Sequence, residues 1–592
     1  MPEHKARDKM ILENIKSVKD LKALPLERLP ELACEMREAL IKRLSVHGGH
    51  FGSNLGIVEA TIALHYVFNS PSDKIIFDVS HQSYCHKMLT GRADAFLYEE
   101  QYDSISGYSA PYESEHDVFT MGHTSTSVSL ALGLAKARDL KGEDFKVIAV
   151  IGDGSLSGGE ALEALNYAGE FKGPLIILVN DNDMSIAENH GGMYRGLKEL
   201  RDTKGESQSN IFKAFGLDYM YVDNGNDVFA LIDALEGIKD TKAPIVLHIR
   251  TQKGKGYAPA ELKKEAWHAT TPFNIDTGER LFSKNGADSY ANITALHLLE
   301  RMKNDPSIVS ITAATPTVAG FDEERRILAG EQFIDVGIAE ENALAMASGI
   351  ARAGGKPVWA VNSTFLQRTY DQMSHDVCLN RSPVTTLVFN SSIYGHSDVT
   401  HLGIYDIAML SGIPNLKYLA PTCYDEYISM LDWSIDQDKE SVAIRVPYGR
   451  AIPCGKPVRS DYSVCEYEIA QRGEGVAIIA LGSFFELGKQ VCEALMAKGL
   501  KPTLINPLFI SELDKDTLDC LIGSHRLVVT LEDGILAGGF GEKIASYLGD
   551  KDIKVKNYGF KKEFPYTYTL DGILEENRLT TSQIVDDIQN II

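Results

Sequence analysis

Positive charge is what this chain most conspicuously lacks. Against 82 acidic residues stand 59 lysines and arginines, a formal net charge of −23, which argues against nucleic acid and anionic membrane as partners. Long apolar runs are missing too. None approaches the ~18 residues that a membrane span needs, and the charged start MPEHKARDKM has no apolar signal core. No membrane partner and a cytoplasmic location are therefore expected. The eight cysteines are scattered, without a Cys-x-x-Cys pair or a ligand spacing. They read as ordinary core thiols in a reducing compartment, not as a disulfide frame or a zinc site. A Walker A loop and low-complexity tracts are also absent. What remains is the composition of a globular protein, 44% hydrophobic and 24% charged, and 592 residues are too many for one core.

The informative stretch is VIAVIGDGSLSGGEALEALNYAGEFKGPLIILVNDNDMSI, from Val147 to Ile186. An apolar run ends at Gly152-Asp153-Gly154, a helix follows, and a second apolar run ends at Asn180-Asp181-Asn182. Parallel strands joined by a right-handed crossover present both carboxyl ends at one sheet edge. Asp153 and Asn182 should then face one another across a small gap. A carboxylate, an amide oxygen and a backbone carbonyl form the hard-oxygen set that Mg²⁺ or Ca²⁺ takes when phosphate oxygens complete its shell. Gly152 and Gly154 would let the backbone approach a diphosphate.

Three histidine-bearing loops precede this unit: His47 to Gly56, Phe77 to Gln82 with His81, and Gly122-His123-Thr124-Ser125-Thr126-Ser127 ahead of a small-residue helix. The last is a hydroxyl-rich loop at a helix N-terminus, a suitable anion site. Ala187 to Gln208 is polar and glycine-rich and reads as a mobile surface loop. Beyond it come a strand from Pro244 to Arg250, KGKGYAPA (253–260) and Trp267-His268. Polar residues from about 274 to 290 mark a first boundary. Helix and strand alternate again to about 455, with Glu340 at a strand-to-helix switch, and once more to the end. Near the end, Glu532-Asp533-Gly534 reads as a loop, and Gly538-Gly539-Phe540-Gly541 as a turn serving close packing rather than nucleotide binding. Three successive α/β domains with mainly parallel sheets are expected.

GDG followed by a strand-end asparagine is similar to the metal–diphosphate motif of thiamine diphosphate enzymes. With GGHFGSNLG (48–56), DVSHQSYCHKMLTGR (78–92), GHTSTS (122–127), KGKGYAPA (253–260), VGIAEEN (336–342), STFLQRTYDQMSHDV (363–377) and THLGIYD (400–406), nearly the whole chain resembles the 1-deoxy-D-xylulose-5-phosphate synthases, relatives of transketolase. The resemblance implies a transketolase-like fold with a diphosphate- and metal-binding domain (1–285), a pyrimidine-binding domain (286–457) and a C-terminal domain (458–592), in a homodimer. Carried over residue by residue, Asp153, Asn182 and the Met184 carbonyl would hold Mg²⁺. His81, Gly122, His123, Thr124, Gly154, Ser155, Asn182 and Tyr257 would line thiamine diphosphate. Phe365 would stack on its pyrimidine, and Glu340 would meet the ring nitrogen. His50, His268 and His401 would be the acid–base and orienting groups. The implied substrates are pyruvate and an aldehyde such as glyceraldehyde 3-phosphate. Another acceptor, a ketose donor, or an inert cofactor-binding paralogue are the alternatives; retention of Glu340, Asp153, Asn182 and His50 argues against the last.

Departures from the family pattern cluster on the acceptor side, at Asn362, Asn390, Ser397 and Tyr448. Asn390 and Tyr448 stand where the family places arginines that hold the acceptor phosphate. Each such charged hydrogen bond is worth about 1.5–3 kcal/mol. Arg445, Arg450 and Arg368 are the cations at hand to compensate. The polar loop after Ile186 is also shorter than usual.

Overall fold

The structure is a computed structural model describing residues 10–282, 288–393, 398–566 and 568–592. Ser397 therefore lies outside the described residues. The chain divides into two compact units: Met1–Lys284 with Gly337–Ala339, and Asn285–Val336 with Glu340–Ile592.

The first unit is built on a parallel sheet of β1 (Lys74–Phe77), β2 (Val147–Gly152), β3 (Leu175–Asp181), β4 (Asp218–Val222) and β5 (Pro244–Arg250), in the order β1-β2-β3-β5-β4. Its strands are apolar on both faces because both are covered. Ile148, Val150, Ile176 and Leu178 face one core with α1 (Leu29–His47), α2 (Val58–Val67) and a later helix, Val228–Ile238. Val147, Ala149, Ile151, Ile177 and Val179 alternate to a second core under α3 (Ser127–Lys141) and α4 (Gly159–Ala168). The same core takes Tyr194, Leu197 and Leu200 from α5 (Met193–Asp202). This corrects the reading of residues 187–208 as a mobile loop. Four buried side chains, Tyr194, Leu197, Leu200 and Arg201, form a stripe at helical spacing within an otherwise polar stretch.

The second unit carries two sheets. One is wholly parallel and contains β6 (Ile308–Thr312), β7 (Phe333–Asp335), β8 (Lys356–Asn362), β9 (Thr385–Phe389), β10 (Leu416–Leu419) and β11 (Ser441–Arg445), in the order β10-β11-β9-β8-β6-β7. The other holds β12 (Glu468–Gln471), β13 (Gly475–Ala480), β14 (Thr503–Asn506), β15 (His525–Ile535) and β16 (Lys554–Phe560), with only β12 antiparallel. Trp359, Val361, Tyr418 and Ala443 of the first sheet share a core with Ala477, Ile479, Ile505 and Val528 of the second.

Glu532 and Asp533 prove to be strand residues of β15, not a loop. Glu532 accepts hydrogen bonds from the Phe540 and Gly541 amides, each at 2.8 Å, so a carboxylate fills the helix N-terminus an anion would use. A Cβ on Gly541 would lie 2.4 Å from Thr530 Oγ1, so the glycine there serves close packing. The cysteines need a third correction. Cys423 and Cys454 form a disulfide, with Cα atoms 5.6 Å apart, and Cys34 and Cys520 are exposed rather than in the core. Among the described residues no helix is long and apolar enough to cross a membrane.

Candidate active site

In the first unit the carboxyl ends of β2 and β3 lie side by side, with Gly152 in register with Asn180. Asp153 turns inward there and is buried. One carboxylate oxygen takes hydrogen bonds from Asn189 Nδ2 at 2.7 Å and the Met184 amide at 3.1 Å; the Asn182 amide lies 3.5 Å from the other. Burial, reinforced by the charge of Asp181, pushes the Asp153 carboxyl up to about 7. Beside it the Asn182 side-chain oxygen is buried without a hydrogen-bond partner, an arrangement that costs free energy unless something else fills its lone pairs. No Cβ on Gly152 would meet an atom within 4 Å, whereas one on Gly154 would press Ser185 at 3.0 Å. Open space therefore adjoins the first glycine, and the second serves loop packing.

The strand ends are held from behind by α5. Its Tyr194 hydroxyl donates to the carbonyls of Asp153 and Gly154, at 3.2 Å each. Its Arg201 donates to both oxygens of Asp181, at 2.8 and 2.7 Å, and to Asp183 at 2.6 Å. His248 completes the clamp on Asp181 at 2.9 Å. Asn182 is thus flanked by two aspartates that one guanidinium fixes.

The three histidine loops converge only in part. The His50 ring lies 5.2 Å from that of His81 and 5.7 Å from that of His268, and His81 and His268 stack at 5.3 Å. Asn54 Nδ2 ties the first two together by donating to both His50 and His81 carbonyls. Burial lowers His268 well below the usual histidine range, so it stands as a neutral imidazole. The Tyr108 ring closes on His50 at 5.5 Å. Lys253, almost wholly buried, donates to the Ser185 carbonyl at 2.5 Å, and burial pulls its amine down to about 7.

The Gly122–Ser127 loop departs from its reading as an open anion site. The amides of Ser125 and Ser127 already donate to Asp78, at 2.9 and 3.0 Å, and Ser125 Oγ donates to the Ser155 carbonyl at 2.8 Å. Only the Gly122-His123-Thr124 part lies outside that clamp. Tyr257 packs among Phe51, Trp267 and Phe273, and its hydroxyl donates to the Ile275 carbonyl at 2.9 Å, bracing the chain next to His50.

In the second unit, Glu340 opens the helix α6 (Glu340–Arg352) and is 4% exposed. Its Oε2 makes no hydrogen bond; Arg368 Nη1 stands 3.6 Å away. Burial raises this carboxyl, the Arg368 charge opposing. On the same short turn as Arg368, Phe365 meets the His401 ring edge-on at 5.6 Å, and His401 Nδ1 lies 2.8 Å from Thr400 Oγ1. Asn390 donates its side-chain amide to the Asn362 oxygen. Arg445 is buried between Asp406, at 2.7 Å, and Asp533, so it is no spare cation. Arg450 pairs with Asp288.

Asn189, Arg201, Lys253 and Tyr108 carry parts of the site that motif reasoning left without a role, and Arg368, expected as a compensating cation on the acceptor side, stands instead beside Glu340. Only Arg201 had a usable signal, its place on the buried stripe of α5.

Comparison with known proteins decides the lineage. A family model described as 1-deoxy-D-xylulose-5-phosphate synthase matches residues 12–208. Transketolase models for the thiamine diphosphate binding, pyrimidine binding and C-terminal domains match 125–300, 288–451 and 466–584. The 1-deoxy-D-xylulose-5-phosphate synthase of Caldanaerobacter subterraneus subsp. tengcongensis is 40% identical over 98% of both chains. That of Clostridium acetobutylicum is 39% identical over 94% of this chain and 95% of its own. This chain belongs to the 1-deoxy-D-xylulose-5-phosphate synthase family. Among solved structures, the transketolase of Campylobacter jejuni aligns at 17% identity over 96% of this chain and all of its own, with a TM-score of 0.44.

Membership makes the protein a thiamine diphosphate-dependent transferase of the transketolase class, working with a divalent metal. The residues present fit that cofactor. The unbonded Asn182 oxygen beside a buried carboxylate suits a hard divalent ion. The unbonded Glu340 oxygen suits a protonatable ring nitrogen.

Proposed function

We propose that this synthase-family enzyme decarboxylates pyruvate and condenses the two-carbon unit with glyceraldehyde 3-phosphate, giving 1-deoxy-D-xylulose 5-phosphate. Thiamine diphosphate supplies the stabilised carbanion that no side chain offers. Asp153, Asn182 and the Met184 carbonyl hold its Mg²⁺. His81, Gly122, His123, Thr124, Gly154 and Ser155 line its diphosphate end, and Tyr257 braces that wall. Glu340 shares a proton with the pyrimidine nitrogen and Phe365 stacks on the ring. His50, His268 and His401 orient substrate and move protons; burial disfavours the charged form of His268, so it acts as a neutral hydrogen-bonding group. The observation that carries the reading is the unbonded Asn182 oxygen next to Asp153.

The domain partition 1–285, 286–457 and 458–592, a homodimeric assembly and a cytoplasmic location belong to the same proposal, on the strength of family membership. A second reading, an unphosphorylated aldehyde acceptor, is favoured by one observation: Arg445, the buried cation nearest in sequence to Tyr448, is spent on Asp406 and Asp533. The test is CO₂ release from pyruvate by purified protein with thiamine diphosphate and Mg²⁺. Stimulation by glyceraldehyde 3-phosphate supports the main reading. Stimulation by glyceraldehyde alone supports the second, and no release under any condition refutes both.

A further inference from the structure

The function assigned above uses His81 but leaves the end of DVSHQSYCHKMLTGR (78–92), with His86, Lys87 and Arg92, without a part. These three side chains converge on residues 105–126, a stretch that contains no helix or strand. Arg92 Nη1 and Nη2 donate to the two oxygens of Asp117 at 2.9 and 2.7 Å, and Nη1 also donates to Glu113 at 3.2 Å. Lys87 donates to Glu113 at 2.6 Å, and His86 Nε2 lies 2.9 Å from Asp117. Lys87 and Asp117 are buried. Two cations therefore meet two carboxylates in a place where an unpaired charge is costly.

The same two carboxylates hold the chain around Tyr108. The Ser106 amide donates to Glu113 at 2.6 Å and the Ala110 amide to Asp117 at 2.8 Å. The Ser109 amide donates at 2.7 Å to Ser80, the neighbour of His81. Ser106 Oγ accepts from the Tyr108 amide at 3.2 Å and donates to the Tyr108 carbonyl at 2.7 Å. Tyr108 is thus fixed on both sides. Its ring meets that of His50 edge-on at 5.5 Å, and the His81 and His268 rings stand at 5.2 and 5.7 Å from the same imidazole. The His50 amide lies 3.4 Å from the hydroxyl of Tyr84, on the short helix Tyr84–Lys87 that carries His86 and Lys87.

We propose that Tyr108 is a positioning residue of the reaction: its ring fixes that of His50, and the cluster of Arg92, Asp117 and Glu113 fixes Tyr108. The proposal rests on the part given to His50 above. A proton relay through the cluster is the competing reading, because His65 Nε2 stands 2.9 Å from His86 Nδ1 and adds a second imidazole. Burial lowers both histidines, so each ring carries a single proton. His86 directs its N–H at Asp117 and His65 directs its own at His86. His65 Nδ1 is then the unbonded end, as observed. The other partners of Asp117, Arg92 and the Ala110 amide, are donors. Neither end offers an onward acceptor for a proton in transit, and the chain is a prop.

The test takes the full-length enzyme with thiamine diphosphate and Mg²⁺ as Tyr108→Ala, Tyr108→Phe, Arg92→Lys, and Tyr108→Ala combined with Arg92→Lys. CO₂ release from pyruvate with glyceraldehyde 3-phosphate reads kcat and KM. Modification by diethyl pyrocarbonate, followed by peptide mass spectrometry, reads the His50 ring without turnover. Tyr108→Ala should lose about tenfold in kcat with the pyruvate KM little changed, the mark of a misplaced group rather than of weaker binding. Its His50 should be modified several times faster. Tyr108→Phe keeps the ring and should recover most of both. Arg92→Lys keeps the charge but not the fork that spans two carboxylates. It should lose about threefold in kcat alone and nothing further in the combined variant, since it acts through Tyr108. Equal losses in Tyr108→Phe and Tyr108→Ala, additive losses in the combined variant, or an unmoved His50 rate in Tyr108→Ala would overturn the proposal. Faster His50 modification in a protein that never releases CO₂ would uphold the grip of Tyr108 on His50 and refute the proposed function instead.

Discussion

Glu340 keeps one carboxylate oxygen unbonded in a buried setting, with Arg368 as a counter-charge 3.6 Å away. A group so placed can share a proton with a ring nitrogen, and Glu340→Gln keeps the shape while removing the exchange. We expect that variant to bind thiamine diphosphate normally and to lose about 10²-fold or more in kcat, the scale of general acid–base contributions; near-normal turnover would remove Glu340 from the chemistry. Asp153 gives a pH prediction. Its carboxyl lies near 7 in the metal-free fold against an ordinary 3.8, because of burial and then the charge of Asp181. Between those values the folded state holds a proton that the unfolded chain has lost. Metal-free stability should therefore fall as pH rises through the window, and Mg²⁺ should restore it above 7. Since Mg²⁺ must displace that proton, its affinity should drop about tenfold per pH unit below 7. Thermal melts at pH 5 and 7.5 with and without Mg²⁺ check both statements. Asp153 and Asn182 were legible in the sequence because strand ends joined by a right-handed crossover must share an edge. Asn189 and Lys253 were not, because their approach depends on the path of long loops.

At the level of single elements, α5 is the clearest case of structure hidden from pattern reading. Its surroundings are polar and glycine-rich, and only three apolar side chains, Tyr194, Leu197 and Leu200, mark its buried stripe. Yet it supplies the two groups that hold the metal motif from behind, Tyr194 on the carbonyls of Asp153 and Gly154 and Arg201 on Asp181 and Asp183. Arg201→Leu should leave the sheet intact and weaken Mg²⁺ affinity by about 10-fold, because it frees Asp181 and Asp183, the residues on either side of the ligand Asn182. Titration of Mg²⁺ at fixed thiamine diphosphate, beside a far-ultraviolet dichroism spectrum, separates that outcome from unfolding. The Cys423–Cys454 pairing was hidden for a related reason. The two cysteines are 31 residues apart with no spacing signal, and only the adjacency of β10 and β11 brings them together.

Across the whole molecule, sheets whose alternate residues feed different cores explain why the strands read as unbroken apolar runs. That made the repeated α/β architecture legible without any contact information, since few other folds bury both faces of so many strands. The global charge of −23 has a consequence of its own. Pyruvate is an anion approaching an acidic protein, so raising ionic strength from low salt to about 0.15 M should screen the repulsion and raise kcat/KM for pyruvate about twofold. A steep fall over that range would mean that local cations dominate the approach. The most direct measurement of the central claim is calorimetric titration of thiamine diphosphate into the wild-type protein and Asp153→Ala, each with Mg²⁺ and with a chelator. The wild type should bind only with Mg²⁺ and the variant in neither condition. Binding indifferent to Mg²⁺, or unchanged in the variant, would contradict the assignment of Asp153 and Asn182 as the grip on the metal.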